Sequence, residues 1–159
     1  MTNAFERIKN APLAVRILLL TSAVTILSFF IQSALPPAIS SAESDTVSGF
    51  LGILIPEDTV IGGFIHSNIR KIGHFCEYGL LGIQLALLTA LSLTERKERL
   101  AFISHIFALI IALIDETVQI FSGRGPSVSD VWLDFLGFTV LFAFTYGIIF
   151  LKRRFSKNN

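Results

Sequence analysis

Three short stretches of this 159-residue chain carry side chains able to do chemistry. In Arg70-Lys71-Ile72-Gly73-His74-Phe75-Cys76-Glu77-Tyr78, a helical turn of about 100° per residue puts Lys71, His74 and Tyr78 within about 60° of one another. Glu77 falls within about 120° of Lys71 on the same wheel. In Ile114-Asp115-Glu116-Thr117-Val118-Gln119, the two carboxylates and Gln119 share a face about 100° wide. Arg124 stands in the Gly- and Pro-containing run 122–130, where its planar fork suits a phosphate or carboxylate. Ser129 and Asp130 follow, with Asp134 one turn deeper and about 40° away.

A histidine among acids can do general acid–base work, and His74 with Glu116 is the candidate pair. The same acids could instead hold a divalent cation through their oxygens. Lys71, His74 and Arg124 could take an anion, oriented by Asp115, Glu116 and Asp130. Structural alternatives stand beside each. Arg70 and Lys71 suit interfacial anchors and Tyr78 an aromatic belt. Ser127 or Ser129 can cap a helix, and Asp130 suits its positive end. The acids could also form a salt-bridge lattice with Arg70, Lys71 and Arg124. No nucleophile elbow, P-loop or zinc spacing is present, so no particular reaction and no cofactor is indicated.

The elements that carry these residues are long and apolar. The chain is 52% hydrophobic and 16% charged, with a mean hydropathy of +0.68, where a soluble domain carries about 25% charge. The apolar residues gather into four stretches, 17–35, 72–93, 100–121 and 131–151. Each can cross a bilayer as a helix of about 20 residues. The expectation is a single all-α membrane domain over 1–159, a four-helix bundle in a lipid bilayer. A net charge of +1 gives no support to a nucleic-acid partner. The single cysteine, Cys76, cannot form an internal disulfide and reads as a small buried apolar residue.

Ten of the thirteen Lys and Arg fall on one side of these spans: Arg7, Lys9, Arg16, Arg96, Lys97, Arg99, Lys152, Arg153, Arg154 and Lys157. By the positive-inside rule both termini and the 94–99 loop are cytoplasmic, and the protein sits in the cell membrane. Nine of the twelve acids lie at the other end; only Glu6, Glu95 and Glu98 do not. Acids contribute little to orientation, so their gathering points to a site on the outside. The N-terminal run is longer than the roughly 7–15 apolar residues of a signal peptide and reads as a retained span. The connection 36–70 is expected to open as a Ser-rich polar loop over 40–48. Asp45 then caps a short helix carrying Val47, Phe50, Leu51, Leu54 and Ile55, which Pro56-Glu57-Asp58 ends. One or two such helices would lie on the outer leaflet, or form a lid over the helix ends.

The run from Arg70 through His74, Glu77, Tyr78 and Gly79 to Gly82, the run from Asp115 to Arg124, and Ser129-Asp130-Val131 leading to Gly137 resemble the VanZ-like family. The resemblance covers roughly 70–141. The chain departs from it at Asp134, where the family typically carries Asn. The resemblance implies a membrane protein associated with resistance to teicoplanin-type glycopeptides, which act outside the cytoplasmic membrane. It implies no agreed biochemical activity.

Three functions compete on these residues. The chain could be an envelope factor whose pocket of Lys71, His74, Glu77, Tyr78, Asp115, Glu116, Gln119, Arg124, Ser129, Asp130 and Asp134 binds a lipid headgroup or cell-wall precursor and lowers glycopeptide susceptibility. It could be an intramembrane hydrolase or transferase on a lipid-linked substrate, using His74, Glu116 and Arg124. Or the charged ring could only lock helix ends together. A transporter fits least, because the polar residues lie at one end of the spans.

Overall fold

A computed structural model describes residues 11–92, 96–125 and 127–156. Among these the chain forms six helices and no strand: α1 Leu13–Ala34, α2 Pro37–Leu54, α3 Val60–Ser67, α4 Ile69–Leu91, α5 Lys97–Phe121 and α6 Val128–Ser156. It is an all-α bundle in which α1, α4, α5 and α6 are long and apolar enough to cross a membrane. The readings placed on Glu6, Arg7, Lys9, Leu93, Thr94, Glu95, Pro126 and Lys157 lie outside the described residues.

The bundle is inverted relative to a water-soluble one. Helix α1 buries Ser22, Thr25 and Ser33 while exposing Leu20, Val24, Leu27 and Ile31. An apolar exterior with hydroxyls turned inward is stable when the surroundings are lipid and the interhelical contacts are close packing and hydrogen bonds. Gln84 Nε2 on α4 donates to Thr25 Oγ1 on α1 at 3.1 Å, one such tie.

The most extensive helix pair is α4 with α6. Glycines permit it. A Cβ on Gly82 would strike the Phe138 carbonyl oxygen, and one on Gly137 the Phe75 carbonyl oxygen, so backbone lies directly on backbone. At one end of the bundle, Lys97 Nζ and Arg153 Nη2 both donate to the Ala90 carbonyl oxygen, at 3.1 and 2.9 Å. Two cations from different helices thus satisfy a terminal carbonyl of α4. The polar residues singled out above gather at the opposite end.

Helix α2 differs from the expected loop. It begins at Pro37, with Pro36 and Pro37 supplying a start pre-set for helix, and takes in the whole Ser-rich run. The hydroxyls of Ser41, Ser44 and Thr46 donate to carbonyls four residues earlier, at 2.9, 3.1 and 2.7 Å. They bond to the helix instead of competing with it. The break at 55–59 leads into α3, where Thr59 Oγ1 accepts from Gly62 N at 2.9 Å. Cys76, expected to be buried, is exposed. The α4 face turned toward the bundle carries Tyr78, Gly79, Leu81 and Gly82, and Cys76 faces away from it.

Candidate functional site

The site is built where the ends of α1, α4, α5 and α6 meet beneath α2. Helix α5 brings Asp115, Glu116 and Gln119 inward together, at 1%, 7% and 3% exposure. Ser33 Oγ from α1 donates to Asp115 Oδ1 at 2.5 Å. Gln119 Nε2 approaches Asp115 Oδ2 at 3.5 Å from one turn along the same helix. The Ser127 backbone N–H donates to Glu116 Oε1, while Glu116 Oε2 is buried without a partner. A carboxylate from α5 therefore satisfies an amide at the start of α6, where the Ser127 carbonyl accepts from Asp130 N at 3.0 Å.

A Schellman turn seats Arg124. Helix α5 ends with Gly123 at φ +78, its N–H bonded to Ile120 O at 3.3 Å, and Arg124 N bonded to Gln119 O at 3.0 Å. That pairing needs a left-handed residue after the helix, which glycine supplies without strain. The turn folds the guanidinium back against α1, where Nη1 donates to the Gln32 carbonyl at 3.2 Å. Arg124 is 8% exposed and its Nε is buried without a partner. Burial, followed by the nearby positive charge of Arg70, holds its pKa below the usual value, against the pull of Asp115 and Glu116.

His74 on α4 is half-buried and faces Asp134 on α6, with Nδ1 3.7 Å from Oδ1. That is beyond hydrogen-bond range, and both atoms lack a hydrogen-bond partner. Ligand atoms of His74, Asp115 and Asp134 all lie within 4.8 Å of one another. Tyr78, one turn below His74, is fully buried, stacked on Phe29 with ring centroids 4.6 Å apart, its hydroxyl unpaired. An aromatic belt does not describe it.

Above this group lies a cavity of about 490 Å³. Its polar wall is Gln32, Glu43, Arg70, His74, Glu77 and Arg124. Helix α2 forms one side of it, supplying Ser40, Glu43 and Ser44. A clasp on His66 holds α2 to α3: Nδ1 meets Ser48 Oγ at 2.5 Å and Glu57 Oε1 at 3.1 Å, and Nε2 meets the Ile55 carbonyl at 3.2 Å. The wall thus carries two arginines and an imidazole together with two carboxylates.

Not every expected residue joins. Lys71 is exposed and lines a separate cleft of about 320 Å³ with Ser41, Ser44 and Asp45, because at the first turn of α4 it points outward beside α2. Ser129 is exposed and its hydroxyl meets Ser127 Oγ at 2.6 Å and Asp130 Oδ1 at 3.4 Å, so it serves the start of α6. Asp130 is half-buried on that first turn. His74 faces Asp134, whereas Glu116 is committed to the Ser127 amide. The anticipated salt-bridge lattice is not formed among the described residues: none of Arg70, Lys71 and Arg124 comes within 4 Å of an oxygen of Asp115, Glu116 or Asp134. The sequence reading did not place in the site Gln32 and Ser33 at the end of α1, Ser40, Glu43 and Ser44 on α2, or Arg70 at the start of α4. The adjacent polar pair Gln32-Ser33 at the end of an otherwise greasy span was the available signal.

A model of the family described as VanZ/LLP1 matches residues 15–151, which takes in all four long helices as well as the site. No curated protein and no solved structure matches the chain. With four helices of membrane-spanning length and composition, the chain is a multi-pass membrane protein.

Proposed function

Because the chain belongs to the VanZ/LLP1 family, we propose that its polar end is an outward-facing receptor for an anionic group of the cell envelope. The ligand is a phosphate- or carboxylate-bearing lipid headgroup or cell-wall precursor, and its capture lowers susceptibility to teicoplanin-type glycopeptides. One observation carries the reading: Arg124, buried and with its Nε lacking a hydrogen-bond partner, lines a 490 Å³ cavity together with Arg70 and His74. A buried guanidinium without a carboxylate partner is costly in an apolar setting, and an anion from outside would supply the missing acceptor. The outward orientation rests on the bias of Lys and Arg toward the Lys97 and Arg153 end. Glu43 and Glu77 on the same wall suit a ligand that also carries an amine or hydroxyls.

The experiment is expression of the chain in a glycopeptide-susceptible Gram-positive host. Wild-type chain should raise the inhibitory concentration of teicoplanin, and Arg124→Ala at equal membrane abundance should remove the rise. Full retention of the effect by Arg124→Ala would reject the reading. A second reading, an intramembrane hydrolase or transferase on an isoprenoid phosphate, is favoured by one feature. His74 lines the cavity with Asp134 behind it, an imidazole–carboxylate arrangement able to move a proton beside a bound phosphate. Turnover of such a substrate by purified protein would select it. A purely structural ring would rest on the hydrogen bonds of Asp115, Glu116 and Arg124 between helix ends, and under it substitutions would lower thermal stability with no separate loss of the resistance effect.

A further inference from the structure

Beneath the anion-binding wall, three helices each contribute one metal-type donor to the same point. We propose that His74 of α4, Asp115 of α5 and Asp134 of α6 bind a first-row divalent cation, Zn²⁺ or Mn²⁺. Their ligand atoms all lie within 4.8 Å of one another. Donors at about 2.1 Å from one ion stand about 3.0 to 3.4 Å apart in octahedral or tetrahedral geometry, so movements of up to about 0.7 Å per donor close the set. The 3.7 Å between His74 Nδ1 and Asp134 Oδ1 is too long for a hydrogen bond and close to the spacing of two ligands of one ion.

Burial supplies the second argument. Asp115 and Asp134 are each 1% exposed. Asp134 Oδ1 has no hydrogen-bond partner and is the very atom turned toward His74. Two carboxylates in an apolar interior demand counter-charge, and Arg124 stays more than 4 Å from both. With a neutral imidazole the set carries two negative charges, which one dication cancels. Asp115 also has the outer support that metal ligands usually need. Ser33 donates to its Oδ1 at 2.5 Å and Gln119 reaches its Oδ2 at 3.5 Å, fixing the carboxylate while leaving lone pairs free. One nitrogen and two oxygens favour Zn²⁺ or Mn²⁺ over Ca²⁺ or Mg²⁺, which take oxygen alone. Three protein ligands leave room in the coordination sphere for a further ligand, and His74 also lines the cavity.

The site stands on its own donors and does not require the anion-binding reading. The test is metal binding by the full chain in nanodiscs, stripped with chelator and titrated with Zn²⁺ and with Mn²⁺ in the absence of any headgroup. One ion per chain is expected, with a rise in thermal stability that chelator reverses. His74→Gln and Asp134→Asn should each weaken affinity at least tenfold, and Ser33→Ala about tenfold. Asp58→Asn, an exposed acid on the turn before α3, should bind as wild type does. Should the ligand variants fail to fold, nitrogen coupling in the Mn²⁺ paramagnetic resonance of the wild-type protein provides the same information. Absence of stoichiometric binding overturns the site, as does binding unchanged in both folded ligand variants or a spectrum from oxygen ligands alone.

Discussion

Ser33 and Asp115, 82 positions apart in the chain, meet through a 2.5 Å hydrogen bond from hydroxyl to carboxylate, both side chains buried. The bond fastens the end of α1 to the acidic face of α5. A hydrogen bond to a charged acceptor contributes about 1.5 to 3 kcal/mol, and its loss leaves a buried oxygen less satisfied. Ser33→Ala should therefore lower unfolding free energy by about 1 to 2 kcal/mol. Thermal unfolding in detergent checks this, and Ser33→Thr should recover part of the loss.

The α4–α6 contact makes a sharper prediction. Alanine gains about 1 kcal/mol over glycine within an exposed helix. At Gly82 and Gly137 the added methyl meets the carbonyls of Phe138 and Phe75, so the helices must separate and the sign reverses. Gly82→Ala and Gly137→Ala should each cost about 1 to 3 kcal/mol, the range found for overpacked sites. Gly147→Ala, on α6 with nothing within 4 Å, should be neutral or slightly stabilising. Comparing melting temperatures of the three proteins decides it.

Gly123 tests whether the turn after α5 positions the arginine. Its φ of +78 is unfavourable for any residue with a Cβ, at about 1 kcal/mol or more. Gly123→Ala should lower stability by that amount and weaken anion binding several-fold, because Arg124 is seated by the bond from its own N–H to Gln119 O. Unaltered anion affinity in a measurably destabilised Gly123→Ala would separate the turn from the pocket.

At the other end of the bundle, Arg153 and Lys97 share the Ala90 carbonyl. Replacing either alone leaves the other donor in place. Each single alanine variant should then cost well under 1 kcal/mol, and the double variant more than their sum. A double-mutant cycle on thermal unfolding measures the coupling.

The long helices were legible because about 20 apolar residues in a row leave few alternatives. The inward faces of α4 and α5 were legible because His, Glu and Asp within a span must turn away from lipid. Other features depended on partners that spacing does not reveal. Ser33 is small and neutral enough to pass as an ordinary span residue, and only its approach to Asp115 gives it a role. The hydroxyls of α2 favour turns in isolation but here bond within the helix, so a serine-rich run was mistaken for loop. Lys71 shares a helical face with His74 by angle. One turn nearer the helix end, it has outgrown the bundle and faces the cleft beside α2. Glu116 was paired with His74 on charge alone, whereas the open N–H of Ser127 at the start of α6 claimed it.

Whether the Arg124 wall receives an anionic headgroup can be measured on the protein itself. The purified chain in nanodiscs, without added metal, would be titrated with a short-chain isoprenoid phosphate and with its neutral alcohol, reading bound ligand by native mass spectrometry. Saturable binding of the phosphate and little of the alcohol is expected. Arg124→Ala should weaken it at least tenfold, and Arg124→Lys should restore it poorly, since a point charge lacks the two-pronged fork. Equal binding of phosphate and alcohol, or undiminished binding by folded Arg124→Ala, would contradict the receptor reading.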